Sequence, residues 1–224
     1  MIDSQFLFQE IIPALNQGLV VSLRLILPSA VLGLLLGFMA GSLKVFGPSW
    51  LRWLSAAYIG AFRGTPLVVQ LFVLYFGLPN MGIYLEPYTA AVLGFSLCGG
   101  AYHAEYIRGG LQSIKKGQLQ AAHALGFAHW KAILYIILPQ ALHRALPGCG
   151  NELIYLIKYS SLAYIITCIE LTGEAKNLAS SSFMFTEVFL AAGLYYLVLV
   201  SLATWGLHWL ERRLAVPGFG HNRS

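Results

Sequence analysis

The chain has 224 residues, 58% of them hydrophobic and 10% charged, with a formal net charge of +5. A soluble domain carries about 25% charged residues, so most of this surface is not built to face water. That excludes an ordinary soluble enzyme or nucleic-acid binder and points to an all-α protein crossing a membrane several times.

In chain order, "GLVVSLRLILPSAVLGLLLGFMAGSL" (Gly18–Leu43) is the first apolar run long enough to cross, since about 20 residues span a bilayer core. A first membrane helix is expected at roughly 17–43. Asp3 and Glu10 precede it with no positive stretch, so no signal peptide is expected and 1–16 reads as an N-terminal periplasmic segment. Gly33, Gly37 and Gly41 recur at spacing four, which lines them along one stripe where another helix packs closely. Further spans are expected at roughly 54–78, 86–108, 144–168 and 187–210. The cuts fall at "FGPS" (46–49), "GLPNMG" (77–82) and the polar stretch 170–187.

Lysine and arginine set the orientation. Lys44 and Arg52 lie between helices one and two; Lys115, Lys116, Lys131 and Arg144 lie between three and four; Arg212, Arg213 and Arg223 follow helix five. The other connections hold only Lys176. Five transmembrane helices are therefore expected, N-terminus out, with 211–224 a cytoplasmic tail.

No catalytic constellation emerges. GxxxxGK[ST] and HExxH are absent, and Gly94-Phe-Ser96-Leu-Cys98 lacks the final glycine of a nucleophile elbow. Cys98, Cys149 and Cys168 have no CxxC spacing, and His123 and His129, six apart, are misplaced for two ligands on one helix face. No metal site is expected.

The stretch "GQLQAAHALGFAHWKAILYIILPQ" (Gly117–Gln140) sits in the longest cytoplasmic connection, and structureless loops of roughly 35 residues are uncommon. Gln118–Leu125 is rich in helix formers, and Gly126 ends it as a C′ glycine does. Ala121, Ala122 and Gly126 give a small-residue surface suited to another protein's groove. With no Lys or Arg in Gln118–Gly126, docking to protein is favoured over lying on lipid.

Gln120-Ala121-Ala122, then Gly126, Ile136 and Leu138-Pro139, resembles the EAA loop (E-A-A-x3-G-x9-I-x-L-P) of ABC importer permeases. Every spacing fits, with Gln120 where glutamate is usual. "FRGTPLVVQLFVLYFGLP" (62–79), "AYHAEYIRGGLQSIKKGQ" (101–118), "LPGCGNELIYLIKYSSLAYII" (146–166) and "LERRL" (210–214) are similar to the polar-amino-acid, histidine/glutamine-type subfamily. The resemblance implies a type I ABC importer transmembrane domain over 17–210 whose cytoplasmic coupling helix docks on an ATPase through Gln120, Ala121, Ala122 and Gly126. It also implies a second permease subunit, identical or homologous, an ATP-binding subunit dimer that uses ATP and Mg, and an extracytoplasmic solute-binding protein. This chain itself needs no cofactor. The expected location is a bacterial or archaeal cell membrane, and the expected work is alternating access for a polar amino acid. An autonomous secondary carrier is the alternative; five helices without an internal repeat argue against it.

Ionisable groups inside a span usually mark function. Glu152 and Tyr159 are seven apart, hence on one helix face two turns apart. The resemblance implies a substrate pocket on this helix, with Asn151, Glu152, Tyr159 and Ser160, and Thr65 from the second helix. The subfamily often shows K-D-T-S-L where this chain has Lys158-Tyr159-Ser160-Ser161-Leu162, so a phenol replaces an acid. Pro66 in Arg63-Gly64-Thr65-Pro66 frees a backbone carbonyl and marks a bend. Glu105 and Arg108, three apart, read as a local pair.

Overall fold

The computed structural model describes residues 4–214, and among them every regular element is helical. Eight α-helices are labelled here: α1 (Ile12–Phe46), α2 (Ser49–Gly64), α3 (Leu67–Phe72), α4 (Pro87–Gln112), α5 (Lys116–Ala124), α6 (Leu138–Tyr159), α7 (Leu171–Ser182) and α8 (Phe185–Leu214). Met1–Asp3 and the tail beyond Leu214, including Arg223, lie outside the described residues.

α1 is longer than its apolar run. A π turn, Leu7–Ile11, joins it without a break to Ser4–Phe6. The described part of 1–16 is thus helical rather than a separate segment. The reason is packing: Ile11 and Leu15 are fully buried in a cluster with Leu171, Ala175, Ala179 and Val188 from α7 and α8. At 1.5 Å per residue, Leu7–Phe46 is about 60 Å long, twice a bilayer's hydrocarbon core.

The glycine stripe of α1 faces α4. A Cβ built on Gly41 would stand 2.6 Å from the Ala104 carbonyl oxygen, and one on Gly37 would collide with the Cβ of His103. At Gly33 the fit is looser: a Cβ there would stand 3.5 Å from the Gly100 amide nitrogen. α4 reciprocates with small buried residues, Gly100, Ala101 and Ala104 among them.

The second expected span, 54–78, is not one straight helix. α2 ends at Gly64, Thr65 and Pro66 are extended, and Leu67–Met81 leaves at 104°. Proline disfavours the helical region for the residue before it, which places Thr65 in the β region. The carbonyls at the end of α2 are then collected by side chains. Gln70 Nε2 lies 2.8 Å from the Phe62 oxygen, 3.1 Å from the Thr65 oxygen and 3.0 Å from Thr65 Oγ1. The Thr65 hydroxyl donates to the Ala61 carbonyl at 2.8 Å.

The connection expected over 113–140 is mostly helical too. The run from His129 to Ile166 continues through a π turn at Ile133–Ile137, α6, and a 3-10 turn at Ser160–Ile166. Ile136, Leu138 and Pro139 therefore lie inside a helical run, not at a loop's end. The π turn explains how Pro139 is tolerated: the Leu138 amide bonds back to Ile133, and Gln140 Nε2 takes the Ile136 carbonyl at 2.8 Å.

The polar stretch 170–187 folds into α7, bent by 54° from the preceding run. By length and apolarity, Leu7–Phe46 and α8 each suffice to cross a membrane alone, and the two bent pairs suffice as broken spans. α4, expected as a third span, is not apolar enough by that measure. It carries His103, Glu105 and Arg108 and is packed between α1, α2 and α6.

Candidate functional site

α6 buries Glu152 to 4% exposure, and two turns further the Tyr159 hydroxyl donates to Glu152 Oε1 at 3.0 Å. The Tyr159 ring leans on Phe95 of α4, with centroids 5.8 Å apart. Glycines let the helices close around this pair. A Cβ on Gly99 would touch the Tyr159 hydroxyl at 3.5 Å, and one on Gly148 would meet the Tyr106 ring at 2.6 Å. The break between α2 and α3 forms the third side, where Cys98 Sγ is 3.9 Å from the Phe62 carbonyl. A buried carboxylate, a phenol and a helix break with exposed Thr65 thus come together where three elements meet.

The other expected pocket residues are placed differently. Asn151 is exposed on a neighbouring face of α6. Ser160 is fully buried and its hydroxyl donates to the Ile157 carbonyl at 2.8 Å, within its own turn. Thr65 is exposed and its hydroxyl serves the break already described.

Glu105 gathers more than its neighbour Arg108. Lys44 Nζ from α1 is 2.7 Å from Oε1, Arg108 Nη2 is 2.6 Å from Oε2, and Arg63 Nη1 from α2 is 3.7 Å from Oε2. Spacing revealed the Arg108 pair; the cations from α1 and α2 arrive only through the fold. Glu105 also lines a cleft of about 1160 Å³, together with Tyr106, Gly109, Pro139, His143 and Leu214.

Sequence reading missed Glu170. It is fully buried, accepts from the amides of Thr172 and Gly173 at 3.0 Å each, and so caps α7. Ser22 of α1 and Tyr196 of α8 donate to its Oε2 at 3.3 and 2.9 Å. The only sequence signal was an acid immediately before a polar helix, and glutamate is not among the preferred N-cap residues.

α5 ends as its glycine foretold. Gly126 has φ +83°, its amide bonds to the His123 carbonyl at 2.9 Å, and the Phe127 amide bonds to the Ala122 carbonyl at 3.0 Å. That is a Schellman closure. Gln120 and Ala121 are exposed, but Ala122 is 2% exposed and faces its own chain. The free small-residue surface is therefore narrower than expected, because Ala122 packs inward while Leu125, 77% exposed, projects outward. His123 Nε2 and His129 Nδ1 are 3.4 Å apart across the turn; among the described residues no group of three metal-ligating side chains forms.

The arrangement is that of a helical membrane component with a buried polar site and a surface helix at one end. The family of binding-protein-dependent transport system inner membrane components matches residues 33–216. The chain belongs to that family. It is 39% identical to the octopine transport system permease protein OccM of Rhizobium radiobacter, covering 94% of this chain and 92% of that one. It is 37% identical to the glutamine transport system permease protein GlnP of Escherichia coli K12, covering 92% and 94%. The crystal structure of an amino acid ABC transporter with histidines superposes with a TM-score of 0.87 at 32% identity, over 95% of this chain and all of that one. The family match decides between an ABC permease and an autonomous carrier in favour of the permease.

Proposed function

We propose that this chain is the permease subunit of an ABC importer for polar amino acids, moving its substrate by alternating access. The observation that carries the reading is the buried Glu152–Tyr159 pair beside the α2–α3 break, in a chain whose relatives bear the names of amino acid transporters. Glu152 supplies a negative charge in a low-dielectric setting, where the ammonium group of an amino acid is held more strongly than in water. The extended residues Thr65 and Pro66 form the hinge of the pocket wall. Five spans, the N-terminus out and the C-terminus inside agree with the lysine and arginine distribution.

The energy comes from elsewhere. A dimer of ATP-binding subunits, using ATP and Mg, docks on α5 through Gln120, Ala121, Leu125 and the Gly126 turn. A second permease completes the path, and an extracytoplasmic binding protein delivers the amino acid. The test is reconstitution with the ATPase and binding protein in liposomes. Uptake of glutamine or arginine that requires ATP and the binding protein supports the assignment; equal uptake by the permease alone without ATP rejects it.

A further inference from the structure

Among the described residues, two that are not glycine take a positive φ: Thr167 at 65° and Phe183 at 60°. They flank the stretch that carries α7. An L side chain crowds the backbone in that region, so each turn costs stability that other contacts must offset. At Thr167 the offset is visible. Its amide bonds to the Tyr164 carbonyl at 3.0 Å, the Cys168 amide bonds to the Ala163 carbonyl at 3.2 Å, and its hydroxyl meets that of Tyr75 at 3.1 Å. Phe183 has the opposite balance. It is 84% exposed, although Leu178 before it and Met184 after it pack on the cluster of Ile11, Leu15 and Val188. Serines set its turn. Ser182 Oγ donates to the Leu178 carbonyl at 2.7 Å and accepts from the Met184 amide at 3.3 Å, and Ser181 Oγ donates to the same carbonyl at 3.0 Å. The chain fixes this turn, yet packs little against the ring that the turn holds out.

We propose that Phe183 is an anchor on which the extracytoplasmic solute-binding protein docks, its ring filling an apolar hollow on that partner. The surroundings favour a protein over lipid. The exposed residues of α7 that lead to the ring are Lys176, Asn177, Ser180 and Ser181, a face made for water rather than for acyl chains. An aromatic side chain encircled by polar groups has the make-up of an interface hot spot, and the amide and hydroxyls supply the hydrogen-bonding rim. The sparse lysine and arginine of 170–187 put this stretch on the side from which the binding protein arrives. From the anchor, α7 leads back to the Thr167 turn, and so to Tyr75 beyond the α2–α3 break. The assignment rests on the proposed importer function and orientation.

The experiment uses the permease assembled with its ATPase in nanodiscs and a fluorescently labelled, glutamine-loaded binding protein. Phe183→Gly removes the ring and the backbone strain together, so its Tm should equal or exceed that of the wild type. Its affinity for the binding protein should nevertheless fall at least tenfold, about 1.4 kcal/mol. Phe183→Ala, which keeps the strain, should lose the same affinity, and Phe183→Trp should retain most of it. A nitroxide attached at Phe183→Cys, with the three native cysteines replaced, should meet a water-soluble nickel chelate more readily than oxygen. Adding the binding protein should cut that access. Wild-type affinity in Phe183→Gly would overturn the proposal while leaving the importer assignment intact. A nitroxide reached mainly by oxygen would place the ring in lipid, and loss of paired permeases in Phe183→Gly would place a second copy on it; either overturns the proposal. A wild-type complex that binds no binding protein would overturn both the proposal and the importer assignment.

Discussion

The hydroxyl of Tyr159 donates to Oε1 of Glu152 across two turns of α6, and this one bond occupies half of the buried carboxylate. In the proposed pocket, a substrate ammonium would therefore meet an acid that is already oriented. A second charge at position 159 would change what that acid attracts.

Glu152→Gln keeps the shape and removes the charge. Uptake by the assembled importer should fall at least tenfold, about 1.4 kcal/mol, with basal ATPase activity retained. Tyr159→Asp should raise competition by arginine relative to glutamine, because a cation between two carboxylates gains attraction that a neutral side chain does not. Unchanged uptake and an unchanged order of preference would move the pocket off this face of α6.

Gly126 is constrained by conformation, since a Cβ there would meet nothing within 4 Å. A β-branched residue at φ +83° strains the turn by about 1–2 kcal/mol. Gly126→Val should leave membrane insertion intact and lower the ATPase stimulation produced by loaded binding protein. Full stimulation and full uptake in this variant would exclude α5 as the coupling element.

Orientation is read with cysteines at Lys116 and Lys176, both exposed, after replacing the three buried native cysteines. An impermeant thiol reagent applied to intact cells should label Lys176→Cys and spare Lys116→Cys. The reverse pattern would invert the molecule.

Glu170→Ala should destabilise the contact between α1, α7 and α8. It strands the amides of Thr172 and Gly173, while the Tyr196 hydroxyl keeps Thr172 Oγ1 at 2.9 Å. Each buried polar group left unpaired costs about 1–3 kcal/mol. Hydrogen exchange in detergent should quicken across α7 while α4 keeps its protection. Unaltered exchange in α7 would mean the cap contributes nothing.

The sequence made legible what repeats or sits locally. Spacing four exposed the Gly33, Gly37 and Gly41 stripe, spacing seven put Glu152 and Tyr159 on one face, and a lone glycine after helix formers marked the end of α5. Angles and partners from distant segments were not legible. Pro66 announces a break, but the 104° turn is held by Gln70 reaching back to Phe62 and Thr65. A short helix such as α5 carries no strong apolar side, so nothing local told that Ala122 would turn inward. Lys44 and Arg63 converge on Glu105 only because α1 and α2 both pack on α4.

The unbroken helix from Leu7 to Phe46 has the shape of a lever. One end is pinned among α7 and α8 through Ile11 and Leu15, and the other is tied to α4 by Lys44. For a rod of about 60 Å, a tilt of about 5° at one end displaces the far end by about 5 Å, close to one helical turn. Were the end held by α7 and α8 to tilt by that amount, the Lys44 end would be carried by about one helical turn relative to it.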